Sequence, residues 1–196
     1  MAMDARNGGQ EDGLEIETLP LVTDPGLRAL YAYWRALGAQ NGGLPRLQSF
    51  DPLHLPKLLP NIWILEVEPH SRRFRMRLAG ENINAIYGRN VGNHFFADIF
   101  DPADLPTIVV RYSRALHEPA IFHATGSVYA AAGRFSPGER LGLPMLGRDG
   151  ATNILIGATV YGDHVFDQGL PRITGDTPVF HTIRAANHRK VEIAGA

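Results

Sequence analysis

The chain has no cysteine and no long hydrophobic segment among its 196 residues. The absence of cysteine excludes disulfide bonds, thiolate metal sites and cysteine nucleophiles. A membrane-spanning helix needs about 18 or more consecutive apolar residues, and no stretch approaches that length, so we expect no membrane insertion. The N-terminal segment, MAMDARNGGQEDG, lacks the apolar core of a signal peptide. The expected location is therefore the cytoplasm.

The chain also lacks an excess of charge of either sign. Its formal net charge is −1, which gives no overall field to attract nucleic acid or an anionic membrane. Arg73, Arg75 and Arg77 alternate along one segment, a spacing that is typical of the exposed face of a strand and that also leaves open an anion-binding or partner-binding surface. No helix-turn-helix, zinc-finger or RNA-recognition signature accompanies the arginines. We predict no nucleic-acid partner.

Sequence motifs of catalysis are missing as well. The chain contains no nucleophile elbow, H-E-x-x-H metal motif, phosphate-binding loop or dinucleotide fingerprint. We therefore predict that the protein is not an enzyme. The alternative is a small-molecule enzyme with unrecognised residues on a curved α+β sheet. A buried carboxylate with a strongly raised pKa beside a histidine in the cavity would favour that alternative.

The N-terminal part of the chain divides into an arm and a helix. We interpret residues 1–22 as a flexible acidic arm. A helix is expected to start at Pro25, with Thr23 or Asp24 as its N-cap. Apolar residues then follow at helical spacing and form one stripe: Leu27, Leu30, Tyr31, Trp34 and Leu37. This stripe is either a partner or dimer surface, or the cover of the domain's own sheet.

The remaining pattern predicts strands and helices in separate groups. A strand over Ile62 to Val67 and a returning strand form a hairpin, with Phe74, Met76 and Leu78 on one face of the second strand. A mostly helical segment follows, and then come three strands, over 120–129, 135–145 and 153–161, in an antiparallel meander. This order predicts an α+β fold in a single domain over residues 23–165. We interpret residues 166–196 as a C-terminal tail.

Short motifs along the chain add a family resemblance. They are Tyr33-Trp34, Pro45-Arg46, Asp51-Pro52, Leu55-Pro56, Leu58-Leu59-Pro60, Arg77-Leu78-Ala79-Gly80, Tyr87-Gly88, Gly92 and Leu143-Pro144. In this order, over residues 25–162, the chain resembles the PAS-like family of small stand-alone proteins common in alphaproteobacteria, formerly classed as a domain of unknown function. The chain departs from the family pattern at Glu81 and at Asn90-Val91. The resemblance implies a five-stranded antiparallel sheet with helices on one face, plus an N-terminal flanking helix.

The resemblance also implies a pocket between the sheet and the helices. PAS pockets hold haem, flavin, a chromophore or a small metabolite, or they hold nothing. The absence of cysteine excludes flavin or chromophore photochemistry that depends on a cysteine adduct. Haem requires an axial ligand, and His94 and His117 are the two histidines expected near the helical wall. A haem-binding PAS sensor is thus an alternative, and otherwise we expect no cofactor.

Apolar residues of the expected inner surface are the candidates for a ligand pocket. They are Met76, Leu78, Ile86, Phe95, Phe96, Ile99, Val109, Tyr112, Leu116 and Ile156. Tyr112 with Arg111 or Arg114 would supply polar anchors for a small apolar ligand. The alternative is that these side chains fill the core completely.

The resemblance implies a sensory or adaptor function in bacterial signalling. From the length of 196 residues we expect no catalytic output domain beyond the PAS core. We therefore expect the protein to act through contact with a protein partner and to form a homodimer.

Overall fold

The computed structural model describes residues 14–16, 20–131, 134–162 and 175–195. Its helices are α1 (Pro25–Asn41), α2 (Glu81–Tyr87), α3 (Phe96–Ile99) and α4 (Leu105–His117). Its strands are β1 (Leu14–Ile16), β2 (Ile62–Val67), β3 (Phe74–Ala79), β4 (His94–Phe95), β5 (Ala120–Ala131), β6 (Arg134–Met145), β7 (Ile154–Tyr161) and β8 (Gly175–Ala185). Among the described helices, none is both long and apolar enough to cross a membrane.

Helix α1 begins and ends where local interactions dictate. The Asp24 carboxylate accepts hydrogen bonds from the backbone N–H groups of Gly26 (2.7 Å) and Leu27 (3.0 Å), and Pro25 occupies the first turn. These contacts satisfy helix N–H groups that have no intrahelical partner. At the other end Gly42 adopts a φ of 64° and terminates the helix. The N-cap predicted at this position is confirmed.

The described strands form one antiparallel sheet in the order β1-β8-β5-β6-β7-β2-β3-β4. The five strands predicted from sequence occupy its centre, as β5-β6-β7-β2-β3. The prediction of a five-stranded sheet is nevertheless wrong in number, because eight strands lie in this sheet. Strand β4 extends it beyond β3, and strands β8 and β1 extend it beyond β5.

Strand β8 corrects the prediction for the C-terminal segment. Residues 175–185 were predicted to belong to a tail, yet they pair with β5 from Ala120↔Thr182 to Ser127↔Gly175. Strand β1, inside the predicted N-terminal arm, pairs in turn with β8. Residues 1–13 and 17–19 of that arm lie outside the described residues, and Val22 at its end is buried in the apolar cluster of the α1 face. The sequence of β8 hid this strand because it contains Pro178 and carries few strongly apolar side chains.

The two faces of the sheet carry two separate apolar clusters. Helices α2, α3 and α4 pack on one face, and α1 packs on the other. In α1, Leu27, Leu30 and Trp34 have no exposed surface, and the Trp34 indole N–H donates to the Pro144 carbonyl over 3.0 Å. The predicted stripe therefore covers the chain's own sheet. The sequence also allowed this stripe to be a partner or dimer surface. Its buried side chains are not accessible for that contact.

Candidate functional site

A small cavity lies between the sheet and helices α2 to α4. Its volume is about 20 Å³, which is room for about one water molecule. It is lined by Trp63, Leu65, Met76, Ile83, Tyr87, Phe96, Phe100, Tyr112, Arg140 and Thr159. Known small-molecule pockets have volumes of about 300 Å³ or more, so in this conformation the space is too small for such a ligand.

Three of the ten predicted pocket residues line this cavity: Met76, Phe96 and Tyr112. Four others, Ile86, Ile99, Val109 and Leu116, belong to the surrounding apolar cluster without lining the cavity. Phe95 is half-buried and packs under the Arg73 guanidinium, 4.3 Å from its ring centre.

The last two predicted residues, Leu78 and Ile156, are not in the pocket. A register shift in the β2–β3 ladder pairs Leu65 with Met76 but Ile64 with Leu78. Because cross-strand partners share a face, this irregularity moves Leu78 to the α1 side of the sheet, where it is 37% exposed. Ile156 also pairs with Ile64 and lies in the α1 cluster. Strict alternation could not reveal a bulge that reverses it.

Aromatic packing closes most of the space that a ligand would need. Phe96 stacks on Phe74 with ring centres 5.0 Å apart, and Tyr112 meets the edge of Trp63 at 5.9 Å. Phe96 and Phe100 form a further edge-to-face pair at 5.0 Å. These rings fill the predicted pocket region as core, in line with the close packing of protein interiors.

Arg140 supplies the cavity with a buried charge, which the sequence analysis missed. The residue is 2% exposed. Its guanidinium donates to the Thr159 hydroxyl (3.1 Å), the Val128 carbonyl (2.6 Å) and the Asp176 carboxylate (2.9 Å). The alternation G-E-R-L-G in β6 was the available signal, because it places Arg140 on the same face as Gly138 and Gly142.

Asp176 holds two arginines together at this end of the site. Arg111, predicted as a polar anchor, donates to the other Asp176 oxygen over 2.6 Å. Arg114, the other predicted anchor, packs its guanidinium over the Phe180 ring at 4.3 Å. Both arginines of α4 therefore contact β8 and not the cavity. Buried charges of this kind require paired and hydrogen-bonded partners, and here the partners come from three different elements.

A second buried polar network lies on the α1 face. Glu139 accepts a hydrogen bond from His123 Nε2 at 2.7 Å and from the backbone N–H groups of Thr23 and Asp24. Burial raises the pKa of Glu139, but hydrogen bonds, first among them the one from the Thr23 hydroxyl, outweigh burial and lower it. This carboxylate beside a histidine lies outside the cavity and its pKa is lowered. It therefore does not supply the feature that would have favoured an enzyme.

The alternating arginines of β3 are engaged within the domain. Arg75 and Arg77 both pair with Glu66 on the neighbouring strand, at 2.8 Å and 3.1 Å. With Arg73 packed over Phe95, the segment forms a cross-strand charge ladder. Arg73, Arg75 and Arg77 therefore already have partners within the domain, and the strand does not form an open anion-binding surface.

The two histidines considered as haem ligands do not reach the cavity. His94 Nδ1 contacts the Gly92 carbonyl at 2.9 Å, and His117 lies at the C-terminal end of α4. No histidine lines the cavity, and the described residues contain no cluster of three potential metal ligands. The residues around this cavity therefore do not fit a haem, which needs an axial ligand as well as space.

The central strand order, with α2, α3 and α4 inserted between β3 and β5, defines an α+β domain in which these three helices pack on one face of the sheet. The family model described as a PAS domain matches residues 22–160, and the chain belongs to this family of sensory and signalling domains. Comparison with curated proteins and with solved structures yielded no match.

Proposed function

We propose that the protein is a sensory or adaptor PAS protein that acts in bacterial signalling through contact with a protein partner. The observation that carries this proposal is the closed state of the cavity, which leaves about 20 Å³. A domain of a sensory family whose pocket is filled by its own side chains is suited to transmit a signal through its surface.

The polar groups of the cavity support the same proposal. The Arg140 guanidinium and the Trp63 indole both donate to the Thr159 hydroxyl, at 3.1 Å and 3.0 Å. Polar atoms already engaged with protein partners offer little to a ligand, because binding would first have to break those hydrogen bonds. A small apolar ligand would enter only if Met76 or an aromatic side chain moved.

The outer surface supplies the contact regions that we propose. Helices pack on both faces of the sheet. Its edges end in the short strands β1 and β4, which protects them from strand addition. Large apolar side chains are exposed on the sheet, at Leu78 and Val179, and also on the outer turns and helices. Leu53, 71% exposed, precedes His54, whose ring stacks on Tyr33, and Val110 is 57% exposed on α4.

The test begins with native mass spectrometry and light scattering of the freshly purified full chain at tens of micromolar. We expect chains without a retained adduct, present as dimers. A photo-crosslinking residue at position 53 or 110 should then capture a discrete partner or a second copy, whereas the same residue at the exposed control position Glu118 should not.

A retained adduct of a few hundred daltons would contradict the closed-cavity argument and would favour a ligand-binding sensor. Its mass would identify haem, flavin or a lipid-like metabolite. A monomer without adduct that gives no position-dependent crosslink would overturn the proposal of protein contact.

A further inference from the structure

A basic groove lies apart from the cavity, and the two share no lining residue. It forms where the loop after α1, the β6–β7 turn and the segment after β8 meet, and its volume is about 360 Å³. Arg46, Arg148 and Arg189 each come from one of these three segments and line it. This volume lies in the range of small-molecule sites.

Two of the guanidinium groups converge on one point in the groove. A β-carbon placed on Gly150 would lie 3.6 Å from Arg189 Nη1 and 4.0 Å from Arg46 Nη1. Gly150 has a φ of +76°, which favours glycine in this turn. The bare backbone at Gly150 thus leaves space directly in front of two positively charged groups.

These arginines differ from the paired arginines elsewhere in the structure. Among the described residues, none of the three forms an ion pair with a carboxylate, whereas Arg75 and Arg77 share Glu66. One carboxylate, Asp149, also lines the groove, so three positive charges face one negative charge. The Asp149 Oδ1 accepts from the backbone N–H of Ala151 at 3.0 Å, and the Asp149 backbone carbonyl accepts from Arg189 Nη1 at 3.3 Å. The groove therefore concentrates positive charge in a chain whose formal net charge is −1.

Backbone hydrogen bonds hold the three segments in place. Arg46 forms a bridge with Leu146, and the Leu47 N–H donates to the Leu146 carbonyl over 3.0 Å. Thr152 and Arg189 are joined by two hydrogen bonds, with the Thr152 N–H donating to the Arg189 carbonyl (2.9 Å) and the Arg189 N–H donating to the Thr152 hydroxyl (3.3 Å). The arginine stems therefore start from fixed positions, which lowers the entropic cost of binding.

We propose that this groove binds the phosphoryl group of a small molecule. Arginine presents planar, forked donors that match the geometry of phosphate oxygens, and charge-assisted hydrogen bonds to phosphate are among the strong ones in proteins. The site is distinct from the PAS cavity. The proposal of phosphoryl binding does not depend on the proposed partner contact.

His188 also lines this groove. It contributes a hydrogen-bonding group but no charge at neutral pH. Its Nδ1 lies 2.9 Å from the Thr152 hydroxyl. Burial lowers the pKa of His188, and the positive charge of Lys190 lowers it further, while a hydrogen bond with the His117 backbone acts in the opposite direction. The charge of the groove at neutral pH therefore comes from its three arginines and from Asp149.

The C-terminal segment completes this site. Arg189 lies beyond residues 22–160, which match the PAS family, whereas Arg46 and Arg148 lie within them. Asn187 anchors the segment through hydrogen bonds with the Leu44 backbone, accepting from its N–H at 2.8 Å and donating to its carbonyl at 3.0 Å. Binding of a phosphoryl group should therefore tighten the docking of the segment onto the domain.

The test is titration calorimetry of the full chain with inorganic phosphate, pyrophosphate and ADP at low ionic strength. We expect saturable binding of pyrophosphate, and Arg46→Ala and Arg189→Ala should each weaken it by about tenfold or more, the loss expected for one hydrogen bond to a charged group. Arg184→Ala, at an exposed arginine on β8, is the charge-matched control and should change binding less than about twofold.

The phosphate and ADP titrations identify the source of the phosphoryl group. Binding of phosphate and pyrophosphate with no gain for ADP would assign the groove to the anion itself, and tighter binding of ADP would assign it to a nucleotide. Absence of saturable binding for all three, or equal affinity of the wild type and the Arg46→Ala/Arg189→Ala variant, would overturn the proposal. All substituted side chains are exposed, so unchanged circular dichroism is the expected folding control.

Discussion

The Arg140 guanidinium and the Asp176 carboxylate form a buried ion pair of 2.9 Å, with side chains 2% and 0% exposed. The pair joins the cavity to strand β8, which lies within the segment that the sequence predicts to be a tail. Removing one partner of a buried pair leaves the other charge uncompensated, which costs far more than losing a surface pair. Asp176 therefore attaches β8 to the core of the PAS domain.

Asp176→Asn should lower the free energy of unfolding by about 3 to 5 kcal/mol. The expected measurement is urea denaturation, together with faster amide hydrogen exchange along β8. Glu192→Gln is the matched control, because Glu192 pairs with Arg72 at the surface and its side chain is 75% exposed. That change should cost less than about 1 kcal/mol. Equal losses in the two variants would contradict a structural role for the buried pair.

Glu139 should make stability depend on pH. Because its pKa is lower in the folded chain than in the unfolded chain, its contribution is present above the ordinary carboxyl pKa. It is lost as the pH falls through the folded pKa. Glu139→Gln should therefore reduce stability at pH 7 by about 1 to 3 kcal/mol, and it should flatten the loss of stability on acidification. Urea denaturation between pH 7 and pH 3 measures both effects.

The control for this pH series is Glu118→Gln, because the Glu118 side chain is exposed. It should leave the pH profile of unfolding unchanged. If Glu139→Gln retained the full acid sensitivity of the wild type, the sensitivity would have to come from another carboxylate.

Gly157 makes room for the Trp63 ring, which walls the cavity. A β-carbon at Gly157 would come within 2.3 Å of the Trp63 ring and 2.2 Å of the Leu141 carbonyl oxygen. Gly157→Ala should therefore destabilise the fold by about 1 to 3 kcal/mol through overpacking. Gly162→Ala is the control, since a β-carbon there would meet no atom within 4 Å. Thermal denaturation with no difference between the two variants would contradict this close approach.

Trp34 tests whether helix α1 belongs to the core of its own chain. Trp34→Ala should cost about 3 to 5 kcal/mol of stability. Trp34→Phe should cost about 1 kcal/mol through loss of the hydrogen bond to Pro144. Leu53→Ala, at a side chain 71% exposed, should change the stability by less than about 0.5 kcal/mol. A stable Trp34→Ala variant that had lost only its dimeric mass would instead show that α1 serves a partner surface.

Much of the fold was predictable because its signals are local. The Asp24-Pro25 cap and the strand over Ile62 to Val67 both appear where the sequence predicts them. Each depends on hydrogen bonds or steric preferences within a few residues of the chain. The order of these elements indicated the α+β class, and the short motifs along the chain indicated the PAS resemblance.

The candidate site was predictable only in part. Met76, Phe96 and Tyr112 line the cavity as expected, because apolar periodicity identifies the inner face of an element. Periodicity does not report volume, so it could not distinguish a filled core from an open pocket. It also missed Arg140, since a charged residue in a strand is most often exposed.

The sequence by itself determined the α+β class, the helix caps and the central strands, since these arise from neighbouring residues. Tertiary structure alone decided the β3 bulge that turns Leu78 away, the addition of β8 through Asp176, and the meeting of Arg46 with Arg189. Each of these features joins residues on different strands or segments. Their energies come from packing and charge pairing in three dimensions, and no local pattern records them.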